Sequence, residues 1–415
     1  MRKLILLVIL FITTVTLVSC NTTQDNDDGG NGAIDPLVAY GPNYKEENTM
    51  ANKEYLYGMC DLAWSEYSWN PNNPIDYTVT SQLIKNLGCK SVRNWMHCNW
   101  LMDNPTTFNE KNLALAHEIV DDLVAQGYQI IGMNHSNFHA KGYANSSSTV
   151  AKPARDLSEG SDYLKWLDDY ETTWYNIAKE FPEIMYWEID NESNSDTFFE
   201  KLTGGTFTLR QKADIYTDML YFASRGIHRA NPDANTVMGG LVISTAETFL
   251  EYIYENIYAD DSWSQYPDDY FQIAAWHPYM AAFTPDKFRK TNEDIYNVIK
   301  TKEGKDKKVF ITEFGFSEAN ATREKIAEYL PQVYQIFEEL PYIEATHYFR
   351  MYDNLDSTWG SNAEKTFGLF TDPVTHGVDG SNKVLAEPKN IAYVFQRLAG
   401  GSGDLTIYQE LLKNK

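Results

Sequence analysis

Two glutamates are the residues of this chain best suited to chemistry by type and position. Glu192 and Glu313 each follow or end a short apolar stretch, residues 184–189 and 308–312, that indicates a buried strand. Two carboxyl groups brought together by two strands can cleave a glycosidic bond by double displacement. One must be a protonated acid and the other an ionised nucleophile. Asn191, directly before the first glutamate, makes this pair more specific than two unrelated carboxylates.

The elements that must position these glutamates form a regular alternation. From about residue 55, short apolar strands alternate with amphipathic helices whose apolar residues recur at a spacing near 3.6. The pattern predicts eight strands: Tyr55–Met59, Ser91–Trp95, Gln129–Met133, Ile184–Ile189, Thr236–Gly240, Phe271–Trp276, Lys308–Thr312 and Glu344–Phe349. The predicted helices include Asn112–Gln126, Leu209–Ala230 and Arg323–Glu339. Eight such units predict an α/β fold, a single (β/α)8 TIM barrel.

The carboxyl ends of barrel strands surround one mouth, so polar residues at these ends are candidates for binding substrate. The candidates are Arg93, His135, Asn191, His277, Tyr279 and Tyr348. Two long segments, residues 134–161 and 353–389, follow the third and eighth strands and are predicted to wall the mouth. The structural alternatives to substrate binding are that Arg93 forms an ion pair with Glu188 on the barrel floor and that the tryptophans only pack the core.

Both glutamate motifs resemble those of clan A retaining glycoside hydrolases, especially family 39 and family 5, the cellulase-like TIM barrels. Residues 187–194, Trp-Glu-Ile-Asp-Asn-Glu-Ser-Asn, resemble the E-I-W-N-E-P-N run of family 39. Residues 311–315, Ile-Thr-Glu-Phe-Gly, resemble the nucleophile strand of families 5 and 39. The resemblance covers about residues 55–400. The chain departs from the usual motif at Asp190, where the relatives have Trp, and at Ser193, where they have Pro.

The resemblance implies a role for each glutamate. Glu192 would be the general acid and then the general base, and Glu313 would be the nucleophile. Asn191 would bind the 2-hydroxyl of the sugar. The two carboxyl groups should then lie about 5–5.5 Å apart, the separation that gives retention of configuration.

The same resemblance assigns supporting roles around the pair. Arg93 would keep Glu313 ionised, Tyr279 would donate a hydrogen bond to it, and His277 would orient a carboxylate or a sugar hydroxyl. The implied substrate is a β-linked polysaccharide or oligosaccharide. No cofactor is implied, and no spacing of histidines or cysteines predicts a metal site.

Three alternatives remain open at this stage. The same barrel could belong to a non-catalytic polysaccharide-binding lipoprotein, or to a transglycosylase that shares the covalent intermediate. In an adhesin or scaffold the two glutamates would be incidental. The two long loops favour an endo-acting cleft only slightly, and neither the sugar nor its linkage can be read from the sequence.

The N-terminal residues predict export and lipidation. Arg2 and Lys3 precede an apolar run that ends at Leu17-Val18-Ser19-Cys20, so residues 1–19 are predicted to be a signal peptide. The last four residues resemble a bacterial lipobox, in which Cys20 is lipidated. The alternative is an ordinary secretory signal with a coincidental cysteine.

The residues after Cys20 predict a tether. Residues 20–50 are predicted to form a lipidated disordered tether and lead-in, and residues 51–415 the catalytic domain. The acidic cluster at residues 25–28 resembles an export signal that sends lipoproteins to the surface of the outer membrane. The prediction is an outer membrane-anchored lipoprotein that contacts the membrane only through its N-terminal lipid.

Net charge and cysteine content restrict the possible partners and the number of disulfides. The net charge is −23, which argues against nucleic acid as a partner. With Cys20 lipidated, Cys60, Cys89 and Cys98 remain, so at most one disulfide can form. A monomer is favoured, although the sequence does not determine the oligomeric state.

Overall fold

A computed structural model describes residues 53–60, 77–138, 149–355, 362–372 and 386–406. The predicted signal peptide, Cys20 and the tether lie outside these residues, and so do parts of the two long loops. Among the residues described, no helix is long and apolar enough to cross a membrane.

Thirteen strands are described within these ranges. They are β1 Tyr57–Cys60, β2 Ser91–Trp95, β3 Met102–Asn104, β4 Thr107–Phe108, β5 Gln129–Asn134, β6 Ala151–Lys152, β7 Tyr186–Ile189, β8 Glu200–Lys201, β9 Asn235–Met238, β10 Leu241–Val242, β11 Ile273–His277, β12 Lys308–Phe314 and β13 Ile343–Phe349.

Nine α-helices are described in the same ranges. They are α1 Tyr77–Asn86, α2 Cys98–Leu101, α3 Glu110–Gln126, α4 Asp162–Glu180, α5 Leu209–Ala230, α6 Ala246–Ile257, α7 Pro285–Glu303, α8 Arg323–Glu339 and α9 Asn390–Leu398. Short 3-10 helices occur at Pro267–Asp269 and Asn362–Thr366.

Eight of the strands form a closed parallel barrel. The main sheet runs in the order β10-β11-β12-β13-β1-β2-β5-β7-β9, and an additional pairing of β9 with β11 closes it. Val237 and Ile273 are the partners in this closing contact. The short β10 extends the fifth position by pairing with β11. The predicted single (β/α)8 barrel is therefore confirmed, with strand ends that differ from the predicted ones by at most two residues.

Side chains on the strands divide between the barrel interior and the layer under the helices. Six small or apolar residues form the interior cluster: Ile131, Val237, Ile273, Ala275, Phe310 and Ala345. A larger cluster packs the outer faces of the strands against the helices. Arg93 and Glu188, both fully buried, occupy the interior beyond the apolar cluster.

An irregularity in β12 changes this alternation near its carboxyl end. Ile311 pairs with Thr346 and Phe314 pairs with Tyr348, so three steps along β12 match two along β13. This extra residue is a β-bulge. It allows Thr312 and Glu313 both to reach the mouth, while Phe314 returns to the helix layer.

Two short two-stranded sheets lie in segments that follow barrel strands. Strands β3 and β4 form a hairpin after β2. Strands β6 and β8 pair in parallel and join the segment that follows β5 to the segment that follows β7. The three cysteines of the described barrel, Cys60, Cys89 and Cys98, are free thiols and buried.

Candidate active site

The two predicted glutamates meet at the mouth of the barrel. Glu192 follows β7 and Glu313 lies near the end of β12. One carboxylate oxygen of each lies within 4.8 Å of the other. The side chains are 19% and 12% exposed, so each is sheltered but reachable from solvent. This approach fits the separation of about 5–5.5 Å typical of retaining glycosidases and not the 6.5–9.5 Å that inverting enzymes need for a water molecule.

Glu313 is surrounded by hydrogen-bond donors. Arg93 Nη1 lies 2.5 Å from Glu313 Oε1, and the Tyr279 hydroxyl donates to Oε2 at 2.9 Å. Burial alone would raise the pKa of Glu313, but the electrostatic effects of His277 and Arg93 and these hydrogen bonds hold that pKa below its ordinary value of 4.5. Glu313 is therefore ionised near neutral pH, as a nucleophile must be.

Arg93 is the buried cation that connects the floor of the site to the mouth. Its guanidinium also donates to both oxygens of Glu188 and, at 2.7 Å, to Asn191 Oδ1. Burial would lower the pKa of Arg93, but Glu188 and Glu313 raise it well above its ordinary range. Arg93 thus forms the ion pair with Glu188 on the barrel floor and also contacts Glu313, the candidate nucleophile.

The turn after β7 presents Glu192 in an uncommon backbone conformation. Asp190 and Glu192 have φ angles of 69° and 45°, in the left-handed region that side-chain-bearing residues rarely adopt. The Glu192 N–H donates to the Gly240 carbonyl at 3.0 Å, and the Gly240 N–H donates to Glu188 Oε1 at 3.0 Å. Left-handed residues persist where surrounding contacts determine the backbone, and such positions cluster at active sites.

His277 connects the two carboxylates. Its Nδ1 lies 2.9 Å from Glu192 Oε1 and 3.7 Å from Glu313 Oε2, while Nε2 lies 3.0 Å from Thr312 Oγ1. The hydroxyl of Thr312 thus fixes the imidazole from one side while the carboxylates hold it from the other. His277 therefore contacts both carboxylates of the candidate pair, and that it orients one of them stays a prediction.

His135 directly follows β5 and lies in a row of rings. Its ring centroid is 4.1 Å from that of His97, 5.6 Å from that of Trp95 and 5.3 Å from that of Phe198. Burial lowers the pKa of His97 to about 3 and that of His135 well below its usual range, with nearby positive charges acting in the same direction. Both imidazoles are therefore neutral, which suits hydrogen bonding to sugar hydroxyls.

Tyr348 is the one predicted site residue that the structure does not bring to the mouth. It is fully buried, and its ring packs edge-on against Phe314 and Phe395, under α9. Its neighbour Phe349 instead packs in a cluster with Cys60 and Phe367, against which Tyr279 also lies. The sequence placed Tyr348 near a strand end but could not show which side of the strand it occupies, and we leave it out of the proposed site.

Three contributors to the site were missed by sequence reasoning. The Thr312 hydroxyl lies 3.0 Å from His277 Nε2, and Gly240 lies against both of these residues. The Cys60 Sγ lies 3.5 Å from Arg93 Nη1. Their only sequence signal is their location at strand ends, which they share with many residues. Among the tryptophans, Trp276 is fully buried and packs the core, and Trp64 lies outside the described residues.

Glu192, His277 and Glu313 also form a set of donor atoms that could hold a metal ion, because one atom of each lies within 4.8 Å of the others. However, both oxygens of Glu313 already accept hydrogen bonds from Arg93 and Tyr279. The guanidinium charge at 2.5 Å would repel a second cation at the same carboxylate. The donor set suits acid–base and nucleophilic chemistry better than metal binding.

This barrel, with carboxylates ending its fourth and seventh strands, defines the class of clan A retaining glycoside hydrolases, and the protein is a glycosidase. More particularly, the chain belongs to glycoside hydrolase family 5. The family model described as Cellulase (glycosyl hydrolase family 5) matches residues 50–347, more than half of the chain. No curated protein matches it.

Solved structures of related glycosidases share the fold at low sequence identity. A family 39 glycoside hydrolase from Bacteroides cellulosilyticus WH2 is 16% identical with a TM-score of 0.57, and the match covers 84% of this chain and 64% of that one. A GH5-4 broad specificity endoglucanase from Clostridium longisporum is 16% identical with a TM-score of 0.56, over 89% of this chain and 99% of that one. At these identities the likeness shows the fold alone.

A Gly240→Ala substitution should impair catalysis because its Cβ would overlap the His277 ring and crowd the Thr312 hydroxyl. We expect roughly a 10- to 100-fold loss of kcat/KM from the displaced imidazole and a loss of about 1–3 kcal/mol in the free energy of unfolding. Gly132→Ala is the matched control, since its Cβ would overlap the ring of Trp187 instead. Equal specific activity of the two folded variants would contradict the role given to His277.

The pH dependence of kcat/KM should report the pKa of Glu313. The acid limb should lie below pH 4.5, and in Tyr279→Phe it should move up because a hydrogen bond to the ionised carboxylate is lost. A shift of about one pH unit is expected, since a hydrogen bond to a charged group contributes about 1.5–3 kcal/mol and one unit equals 1.36 kcal/mol.

Tyr296→Phe is the control for this measurement, because its hydroxyl donates to Asp306 on the outside of the barrel. An acid limb that stays in place or moves down in Tyr279→Phe would contradict the account of Glu313. The same depressed pKa means that ionised Glu313 stabilises the fold above pH 4.5 and that this stabilisation is lost as the pH falls through the lowered value.

Proposed function

We propose that the protein hydrolyses the O-glycosidic bonds of a β-linked polysaccharide or oligosaccharide by double displacement, with Glu313 as nucleophile and Glu192 as acid/base. The observation that carries this proposal is the unequal environment of two carboxylates within 4.8 Å of each other. Arg93 and Tyr279 donate hydrogen bonds to Glu313, whereas Glu192 lies against His277. When two nearby carboxyl groups have different surroundings, their pKa values differ, so one can act as the acid and the other as the nucleophile.

The first half-reaction forms a covalent intermediate. Glu313 attacks the anomeric carbon with an electron pair of its carboxylate, and the bond from that carbon to the leaving oxygen breaks. Glu192 transfers its proton to the departing oxygen, which leaves as an alcohol. Because Arg93 and Tyr279 stabilise the ionised form of Glu313, the attacking group needs no deprotonation at neutral pH.

The second half-reaction returns the enzyme to its starting state. Glu192, now ionised, takes a proton from water while the water oxygen attacks the anomeric carbon and Glu313 leaves. Two displacements at one carbon restore its configuration. Asn191, whose Oδ1 accepts a hydrogen bond from Arg93 at 2.7 Å, is proposed to bind the 2-hydroxyl of the sugar. His135 is a further proposed sugar contact, whereas His277 is fully buried between Glu192 and Thr312 and is proposed to orient Glu192.

The substrate class rests on the family and on the neutral, aromatic character of the mouth. The matching family model is described as cellulase, and the structural neighbours include a GH5-4 broad specificity endoglucanase and a β-glycosidase from Thermosphaera aggregans, so β-linked glycans are the substrates to test first. Rings such as Trp95 and Phe198 offer flat apolar faces for pyranose rings, and the imidazoles of His97 and His135 lie between them. A transglycosylase would use the same intermediate and differ only in excluding water.

Hydrolysis of a panel of β-glycans and aryl β-glycosides by residues 21–415 tests this function. Glu313→Ala should abolish cleavage, and Glu192→Ala should lower kcat/KM roughly 10²- to 10⁴-fold on substrates with poor leaving groups. Glu118→Gln, on the exposed face of α3, is the matched control and should retain full activity. Cleavage that survives in both active-site variants would refute the mechanism, and glycan binding without cleavage by the parent would favour the binding protein.

We also propose that the protein is a lipoprotein of the outer membrane, tethered through Cys20. The lipobox-like residues before Cys20 and the polar segment after it support this location. A single membrane-anchored chain is favoured as the working form.

Cys20→Ala should move the full-length protein from the membrane fraction to the soluble fraction, because the lipid anchor is lost. Labelling with a fatty-acid probe should mark the wild type and not the variant. Cys89→Ala is the matched control, since Cys89 is buried in the barrel. A labelled, membrane-bound Cys20→Ala variant would overturn the proposal.

A further inference from the structure

A buried ion pair that the mechanism above does not use lies directly behind the candidate acid/base. Lys152 Nζ is 2.9 Å from Asp190 Oδ2, and neither side chain is exposed at all. Lys152 belongs to β6, in the segment that follows the third barrel strand. Asp190 follows β7 and stands two residues before Glu192. The pair therefore connects a wall of the mouth to the turn that carries Asn191 and Glu192.

Stability alone is a weak reason for such a pair. Burial raises the pKa of Asp190 and lowers that of Lys152, and in each case the partner charge opposes the effect. The cost of removing two charges from water commonly equals or exceeds their attraction, so buried pairs add little stability in place of apolar residues. The better-attested effect of a buried ion pair is that it favours one conformation of the chain over the alternatives.

Asp190 fixes the backbone at the start of the catalytic turn. One carboxylate oxygen faces Lys152, while the other accepts a hydrogen bond from the Asn191 N–H at 2.9 Å. The Asp190 N–H donates to the Asn134 carbonyl at 3.0 Å, which keeps the residue in register with β5. With φ of 69° at Asp190, the peptide that leads to Asn191 points away from the strand direction.

Lys152 is in turn held from the opposite side. Its Nζ donates to the Phe198 carbonyl at 2.8 Å and lies 4.5 Å from the centroid of the Phe199 ring. Its own carbonyl accepts from the Leu202 N–H at 2.8 Å as part of the pairing of β6 with β8. The ammonium thus ties together the start of the turn and the chain that leaves it about eight residues later.

We propose that Lys152 and Asp190 are a positioning pair that holds Glu192 where it meets the leaving oxygen, while Asn191 stays held by its hydrogen bond from Arg93. The inference rests on the proposed role of Glu192 as acid/base. It gives a function to Asp190, the position at which this chain departs from the tryptophan of the similar motif. Neither residue touches substrate, so the pair acts through the turn.

The test compares substrates that differ in their need for protonation. The probes are the 2,4-dinitrophenyl and phenyl β-glycosides of the sugar that the wild type hydrolyses fastest. Dinitrophenolate leaves with little help from an acid, whereas phenolate depends more on proton transfer from Glu192. Lys152→Met should lower kcat/KM about 10- to 100-fold on the phenyl glycoside, because a misplaced acid loses efficiency steeply. On the dinitrophenyl glycoside the loss should be less than about threefold.

Lys307→Met is the matched control. Lys307 Nζ also donates to a phenylalanine carbonyl, that of Phe271 at 2.9 Å, lies 4.7 Å from the same ring and pairs with buried Glu303 at 3.1 Å. It precedes β12 and so lies at the end of the barrel opposite the mouth. This variant should have a lower free energy of unfolding, and its kcat/KM on the two glycosides should change by the same factor.

A second variant is needed because Lys152→Met leaves the buried Asp190 carboxylate unpaired and could fail to fold. Lys152→Met combined with Asp190→Asn leaves no unpaired buried charge, and it should show the same selective loss on the phenyl glycoside. Equal loss on both substrates in the two Lys152 variants would overturn the inference. A crystal structure of the double variant gives a readout independent of activity: an unchanged turn at Asp190 and Glu192 would also overturn it.

The two proposals fail in different ways. If the wild type cleaves neither probe nor any glycan of the panel, the proposed function fails and the crystal structure of the double variant alone decides the positioning role. If the wild type is active and Glu192→Ala shows the selective loss but the Lys152 variants do not, only the inference about Lys152 and Asp190 fails.

Discussion

The site depends on one buried positive charge. Arg93 lies inside the barrel without solvent contact and is compensated by Glu188 below and Glu313 above. A buried guanidinium is tolerated only when its donors and charge are satisfied, so the three side chains must be retained as a unit. Because Arg93 also donates to Asn191, the same cation aligns the end of the fourth barrel strand with the end of the seventh. The spacing of the two candidate carboxylates, Glu192 and Glu313, follows from this alignment.

Around that charge the barrel gives its two carboxylates different surroundings. Glu313 is held by Arg93 and Tyr279, which favour its ionised form. Glu192 extends from a left-handed turn and meets His277, whose other nitrogen is fixed by Thr312. The two carboxyl groups therefore differ because of neighbours that three barrel strands, β2, β11 and β12, contribute. A closed barrel makes this possible because all strand ends converge on one mouth.

Much of the fold and the central pair could be predicted from the chain alone. The alternation of apolar strands with amphipathic helices is a local property, and it located all eight barrel strands and matched the helices Leu209–Ala230 and Arg323–Glu339 to the residue. Because side chains alternate along a strand, Glu188 and Glu192, which are four residues apart, are expected on the same side, and Glu188 does lie buried in the barrel interior. The parity rule would have failed for Glu313, because the bulge in β12 puts Thr312 and Glu313 on the same side.

The sequence by itself determined the eightfold pattern, the family-like motifs at Glu192 and Glu313 and the acidic charge, since each depends only on residues near in sequence or on composition. The tertiary structure decided what depends on distant partners. Tyr348 packs under α9, and Gly240 is a close neighbour of His277. Lys152 pairs with Asp190, which lies 38 residues further along the chain. Such contacts arise from strand register and loop packing, and a single sequence carries no local periodicity that reports them.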